Sequence, residues 1–427
     1  MEDVLFWMFA TSSSVYVLHI GFYLIGANFY DIWQYQRLHR HRELLEYQQF
    51  KHRPLVTVLV PAHNEEKVVE RCLDSIRKNT YKNIQVIAVD DGSADMTLRV
   101  LRGYKRRHPE FDLAVTSTSK NVGKGGALNY ALRRFAKGKL VMTLDADSMI
   151  SSKAIERAVS YFADPTVAGV AANVRVIDDG SILAMLQKLE HMIGYRSKKT
   201  YSLLNCEFVI GGVASTYRMD AIKRVGFYDT DTLTEDIGLS MKVARLGNLK
   251  HRLIYGADVE AITEGVSSYA ALIKQRFRWK YGCLQNLVKH RQLIGRPRSG
   301  FTPSLTLYRL PTAILSELLL IATPFIWTYI AYISIAGHNP YLVFGAYCTI
   351  TLYTLVTLWF DEHTTLRKRV GLSIHAMYAY AIFYVMDIVQ FIGVSRCIYR
   401  IKSLLKQKNI GSAWTSPARA GQEITAD

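Results

Sequence analysis

Cysteine is scarce in this 427-residue chain: Cys72, Cys206, Cys283, Cys348 and Cys397 are odd in number and widely spread. No CxxC pair occurs, which argues against a zinc ribbon and against a disulfide framework and leaves the thiols as buried apolar fillers. Acidic residues are the minority charge, 36 Asp and Glu against 53 Lys and Arg, for a net charge of +17. No nucleic-acid-binding module accompanies that excess. The basic residues gather beside apolar stretches instead, at 37–42, 367–369 and 396–408. That is where cytoplasmic flanks meet anionic headgroups, so a lipid bilayer rather than nucleic acid is the expected partner.

Charge is absent altogether between Asp3 and Asp31. A spanning helix needs about 20 apolar residues, so this stretch is expected to cross a membrane. Its acidic start and lack of a small-residue cleavage site argue against a signal peptide. Further spans are expected at 318–336, 341–360 and 371–395, the last interrupted by Asp387. Basic flanks assign the 31–53 linker, the catalytic region, the 361–370 loop and the 396–410 tail to the cytoplasmic side of a multi-pass plasma (inner) membrane protein. The loop and the tail cannot both lie there if 371–395 crosses once, which favours a re-entrant or interfacial segment carrying Asp387. The expected organisation is a membrane anchor with a basic linker (1–53), a catalytic domain (54–290), an interfacial segment (291–317), a C-terminal membrane region (318–395) and a basic tail (396–427).

Between the membrane segments the pattern is α/β. The run 55–60, LVTVLV, reads as a strand buried on both faces, and Val68, Val69, Cys72, Leu73 and Ile76 then recur at helical spacing. Strands are expected again at 84–89 and 140–144, with helices at 94–107 and 125–136, an alternation that predicts a Rossmann-like, mostly parallel sheet. Ligands of such sheets bind beyond the carboxyl ends of the strands. Each of the three strands runs out into polar residues: His63-Asn64-Glu65-Glu66, Asp90-Asp91-Gly92-Ser93, and Asp145-Ala146-Asp147. Turn and cap chemistry alone could account for any one of them; three carboxylate-bearing clusters on one rim point to a site.

Asp145 and Asp147 can converge on a hard divalent cation, Mg²⁺ or Mn²⁺, which takes one or two carboxylates and completes its shell with substrate phosphates. The segment Asn121-Val122-Gly123-Lys124-Gly125-Gly126 lacks the P-loop spacing, so ATPase chemistry is not indicated; Lys124 can still meet a phosphate as a point charge, or be an exposed lysine on a loop. In Thr234-Glu235-Asp236, Thr234 can cap a helix, whereas Asp236 can serve as a general base. In Gln275-Arg276-Phe277-Arg278-Trp279, a helix would bring Gln275, Arg278 and Trp279 to one face, an amide, a guanidinium and an indole suited to a glycosyl diphosphate. An interfacial amphipathic helix would use the same residue types.

Taken in order, PAHNEE, VDDGS, LDADS, LTED and QRFRW resemble the processive, membrane-embedded family-two glycosyltransferases, which include cellulose, chitin and hyaluronan synthases. FYDTDTLTEDIGLS and the tail GSAWTSPARAG are similar to the bacterial poly-β-1,6-N-acetylglucosamine synthases within that group. The resemblance implies a GT-A catalytic domain with α-helical transmembrane segments at both ends. It also implies a UDP-sugar donor, a growing polysaccharide acceptor, export across the membrane and, in some relatives, a small membrane accessory subunit. By matching position it implies that His63, Asn64, Glu65, Asp90 and Asp91 surround the uridine and that Lys124 lies near the nucleotide or its phosphates. Asp145 would then contact the donor and Asp147 the metal, while Asp236, next to Glu235, deprotonates the acceptor hydroxyl. Gln275, Arg278 and Trp279 would hold the diphosphate and the acceptor sugar, and Trp414 and Arg419 would close over the nucleotide. The alternatives are another processive synthase, of hyaluronan, chitin or cellulose type, a single-addition lipid glycosyltransferase, and an inactive membrane scaffold of the same fold.

Overall fold

The computed structural model describes Trp7, Ser14 and residues 18–37, 53–177, 180–338, 340–361 and 364–406. Eight strands form one sheet: β1 (Val56–Ala62), β2 (Ile84–Asp90), β3 (Leu113–Ser117), β4 (Leu140–Thr143), β5 (Ser148–Ile150), β6 (Val167–Val176), β7 (Ser215–Arg218) and β8 (Arg252–Thr263). Their spatial order is β3-β2-β1-β4-β7-β6-β8-β5. The first four are parallel, as the apolar runs predict. The far half is mixed, a departure from the mostly parallel sheet expected: β7 is antiparallel to β4 and β6, and β5 is antiparallel to β8.

β1 and β2 are apolar throughout because both faces are covered. Val56, Val58, Val60 and Val86 pack into one buried layer with the helix Val69–Arg77. Leu59, Ile87 and Val89 point the other way, into a layer with the helix Lys124–Arg134. Period-two alternation divides the strands between two cores, and burying each such side chain contributes roughly 1.5–3 kcal/mol. Between β6 and β8 the register slips at Ala172/Asn173, and Tyr30 meets the edge of that bulge in β8, its hydroxyl donating to the Tyr255 carbonyl and accepting from the Ala257 N–H. Tyr30 belongs to the helix 18–37, which continues past Asp31 and is pinned by Lys199–Asp31 (2.5 Å) and by Arg196 donating to Asn28 Oδ1 (2.8 Å).

Among the described residues one helix, Ser304–Ala336, is long and apolar enough to cross a membrane, and only 11% of its most apolar window is buried. It begins with the π-helical turn Ser304–Arg309, inside the segment expected to be interfacial. Val343–Trp359 is apolar but shorter. The stretch 371–395 is carried by two helices, Leu366–Ala376 and Ala379–Tyr399, separated by a turn at Met377 and Tyr378. Most of the expected N-terminal span lies outside the described residues.

Candidate active site

The in-register parallel pairing of β1 with both β2 and β4 sets their carboxyl ends on one rim. The first group there surrounds His63. Its Nδ1 donates to the Asp91 carbonyl at 2.9 Å, and its Nε2 accepts from Asn121 Nδ2 at 3.1 Å and Asn64 Nδ2 at 3.3 Å. Asn64 occupies the left-handed region (φ 57°), where local bonds offset the conformational cost: its N–H donates to Ser93 Oγ and its Oδ1 accepts from the Ala94 N–H, each at 2.9 Å. Asp91 Oδ1 accepts from Thr118 Oγ1 (2.8 Å) and the Val122 N–H (3.0 Å). Asp91 Oδ2 and Asp90 Oδ1 are buried with no hydrogen-bond donor among the described residues. A buried acceptor left in that state is costly unless a ligand supplies a donor. Gly92 (φ +64°) is required here, since a Cβ would lie 2.7 Å from the backbone of Lys120 and Asn121. Glu65 is buried, its N–H donating to Thr97 Oγ1 at 2.8 Å.

The second group surrounds Lys124, whose side chain is only 12% exposed. Its Nζ lies 2.5 Å from Asp145 Oδ1 and 3.4 Å from Glu235 Oε1. Burial pulls the ammonium toward its neutral form, but Asp145, Glu235 and Asp236 outweigh that and hold the lysine charged, with its pKa raised above the ordinary range. Asp236 sits at the start of the helix Glu235–Ala244, and its Oδ1 accepts from the Ile237 N–H at 2.8 Å. Its surface is partly open, yet it lies deep in the fold. Lost hydration first, and the Glu235 charge second, push its carboxyl up to about 6, against the opposing pull of Lys124 and Arg278. A carboxylate tuned close to neutrality is suited to taking a proton from a hydroxyl.

Asp147 forms the third group, with Oδ1 accepting from Ser148 Oγ at 2.7 Å. Its carbonyl accepts from Arg71 Nη2 at 3.2 Å, and Arg71 pairs with Glu264 at 2.5 Å. The buried Cys72 thiol is pushed well above its usual range by burial and then by Asp147 and Asp145, so both aspartates lie within electrostatic reach of one sulfur. Among the described residues no three or more His, Cys, Asp and Glu side chains gather into a metal cage. Asp145 and Asp147 nonetheless present hard carboxylate oxygens at one strand end, a donor set that suits Mg²⁺ or Mn²⁺ once phosphate oxygens complete the shell.

The helix Tyr269–Lys289 carries the remaining candidates. Arg278 is exposed, yet close enough to help lower the Asp236 pKa, and Gln275 Oε1 is buried with no hydrogen-bond donor among the described residues. Arg276, read in the sequence only as motif spacing, is 4% exposed and ion-paired to Glu190. Its guanidinium lies 4.3 Å from the centroid of the Trp279 ring. Arg276 and Trp279 are i, i+3 neighbours, a spacing that was legible. Glu190, Arg71, Asn121 and Thr118 carried no comparable signal. Lys124, Asp145, Glu235 and Asp236 thus come together, His63, Asn64, Asp91 and Asn121 form a neighbouring cup, and Trp414 and Arg419 lie outside the described residues.

This fold and site define a glycosyltransferase with a GT-A catalytic domain. Residues 57–226 match the model of glycosyl transferase family 2. The chain is 27% identical to a poly-beta-1,6-N-acetyl-D-glucosamine synthase of Staphylococcus epidermidis, over 85% of this chain and 87% of that protein. A synthase of the same description from Staphylococcus aureus is 30% identical over 53% of this chain and 54% of that protein. Among solved structures, a mannosyltransferase from Pyrobaculum calidifontis in complex with GDP-Man and Mn²⁺ shares the fold, with a TM-score of 0.57 and 21% identity over 90% of this chain and 98% of that one.

Proposed function

We propose that the chain is an inverting, processive synthase that polymerises UDP-N-acetylglucosamine into poly-β-1,6-N-acetylglucosamine at the inner membrane, with its catalytic domain cytoplasmic and transfer coupled to export. The observation that carries the reading is the buried meeting of Asp145, Lys124, Glu235 and Asp236 from three separated stretches of chain. The names of the similar staphylococcal synthases support the sugar and the linkage.

In this reading the His63, Asn64 and Asp91 cup takes the uridine, whose ring N–H can donate to a carboxylate oxygen left without a partner. Asp236 removes the acceptor hydroxyl proton as that oxygen bonds to the anomeric carbon. The bond from that carbon to the diphosphate oxygen breaks, and UDP leaves with the electron pair. Asp147 and Asp145 would hold a divalent cation, which supplies Lewis-acid stabilisation of leaving-group charge. Arg278 adds a fixed positive charge for the diphosphate, and Trp279, with Gln275, receives the acceptor sugar. Lys124 keeps the three carboxylates from repelling one another apart, and its pull limits how far the Asp236 pKa rises. The helix Ser304–Ala336 and its apolar neighbours seat the domain on the bilayer, where Trp327, Tyr329, Tyr332 and Tyr378 are aromatics available along an exit path; the side chain of Tyr380 lies outside those described.

The test is a panel of single and paired UDP-sugars offered to purified protein in lipid, followed by glycosidase digestion and sizing of the product. UDP-N-acetylglucosamine alone should yield a long polymer cleaved only by a β-1,6-specific N-acetylglucosaminidase. A requirement for two sugars, or a product one residue long, would overturn the assignment.

A further inference from the structure

Asp236 must face an acceptor held by a different element, the helix Tyr269–Lys289, and the chain between them is too long to fix that relation. What fixes it is a seam of contacts from the last turns of that helix onto the loop 229–236. Lys289 Nζ bonds Asp229 Oδ2 and Asp231 Oδ1, each at 2.8 Å. Gln285 Oε1 accepts from the Leu233 N–H at 3.0 Å. Asn286 is fully buried, and its Nδ2 donates to the Thr234 carbonyl and Thr234 Oγ1, both at 3.2 Å, as well as to the Gly282 carbonyl at 2.9 Å. Thr234 lies against Gly282 so closely that a Cβ there would come within 2.4 Å of Thr234 Oγ1. From the opposite side a Cβ on Gly238 would lie 3.1 Å from Asn286 Oδ1. A buried amide answers both the carbonyl and the hydroxyl of the residue two before Asp236, and two glycines make room for it.

We infer that Asn286 is a positioning residue of the transfer step: it clamps the Thr234–Asp236 turn to the helix bearing Gln275, Arg278 and Trp279, and so sets the aim of the base at the acceptor hydroxyl. This rests on Asp236 being the base. Asn286 touches no substrate. Its removal leaves the His63 and Asp91 cup intact and alters only the relation between base and acceptor, where a misplacement of about 1 Å costs roughly 100-fold in rate.

The experiment compares Asn286→Leu, similar in size but without donors, and Gly282→Ala, which displaces Thr234 from one turn earlier on the same helix face, with Asp236→Asn as reference. Each is purified in lipid, UDP binding is measured by calorimetry to count folded sites, and transfer and UDP-sugar hydrolysis are followed together. Both positioning variants should keep the UDP affinity and the donor KM within about twofold while kcat for transfer falls roughly 10- to 100-fold and the share of donor lost to water rises. If Asn286→Leu and Gly282→Ala both transfer at the parental kcat per folded site, or lose donor affinity in step with rate, the positioning role is wrong. If Asp236→Asn itself transfers normally, the assignment of the base falls instead, a result that the two positioning variants cannot produce.

Discussion

Replacing Asp236 with Asn should abolish transfer and at the same time stabilise the fold above pH 6. The carboxyl is moved from its ordinary 3.8 to about 6, by burial first and by Glu235 second. Because the folded-state value is raised, the favourable contribution of this group is complete below the unfolded value and is lost as pH climbs through the folded one. At pH 8 the ionised Asp236 therefore burdens the folded protein by at most about 3 kcal/mol. Water at its partly open face lowers that figure toward ~1–2 kcal/mol. An amide has no charge to desolvate and removes the burden, raising the thermal midpoint by a few degrees at ~2–4 °C per kcal/mol for a domain of this size. The gain should shrink as pH falls below 6 and vanish only well below 3.8, where the carboxyl is protonated in both states. Thermal unfolding of parent and variant in lipid at pH 4.5, 6 and 8, paired with a transfer assay, reads both effects. A midpoint difference that does not change with pH, or an Asn variant less stable than the parent at pH 8, would refute the electrostatic account of the site.

The transfer rate of the parent should rise with pH through about 6, as Asp236 ionises, read from kcat between pH 5 and pH 8. Lys124→Met removes a cation that lowers the Asp236 pKa, so this acid limb should move to higher pH, and an unmoved limb would show that Lys124 does not act on the base. Asp147→Ala should abolish metal-dependent strengthening of UDP binding in calorimetry with Mg²⁺ or Mn²⁺ while leaving metal-free binding little changed. Glu190→Gln takes the anion from the buried Arg276 guanidinium that lies over Trp279; acceptor KM should rise by about tenfold, equivalent to ~1.4 kcal/mol, with donor KM unaffected.

The three rim clusters were readable because a strand buried on both faces has to end where the sequence turns polar, and the strand runs at 55–60, 84–89 and 140–144 announce those ends. The second half of the sheet was not. β5 and β7 have only three and four residues, too few for periodicity, and their direction is set by partners more than 70 positions away, such as Thr143 against Ser215 and Ile150 against Ala261. The membrane segments divide in the same way. Apolar length shows in composition, so the helix through 318–336 was foreseeable, but the turn at Met377 and Tyr378 has no Pro or Gly to announce it.

By itself the sequence determined the chemistry available: which acids, bases and aromatics stand at strand ends and on the helix Tyr269–Lys289, because side-chain type and local period are local properties. The tertiary structure decided which of them meet. Lys124 turns its charge into the carboxylates of Asp145 and Glu235, the helix 18–37 lodges Tyr30 against a bulge in β8, and Asn286 reaches the Thr234 turn. Each of these depends on contacts between residues tens to hundreds of positions apart, and only the burial and charge balance of the folded chain raises the pKa of Asp236 to about 6.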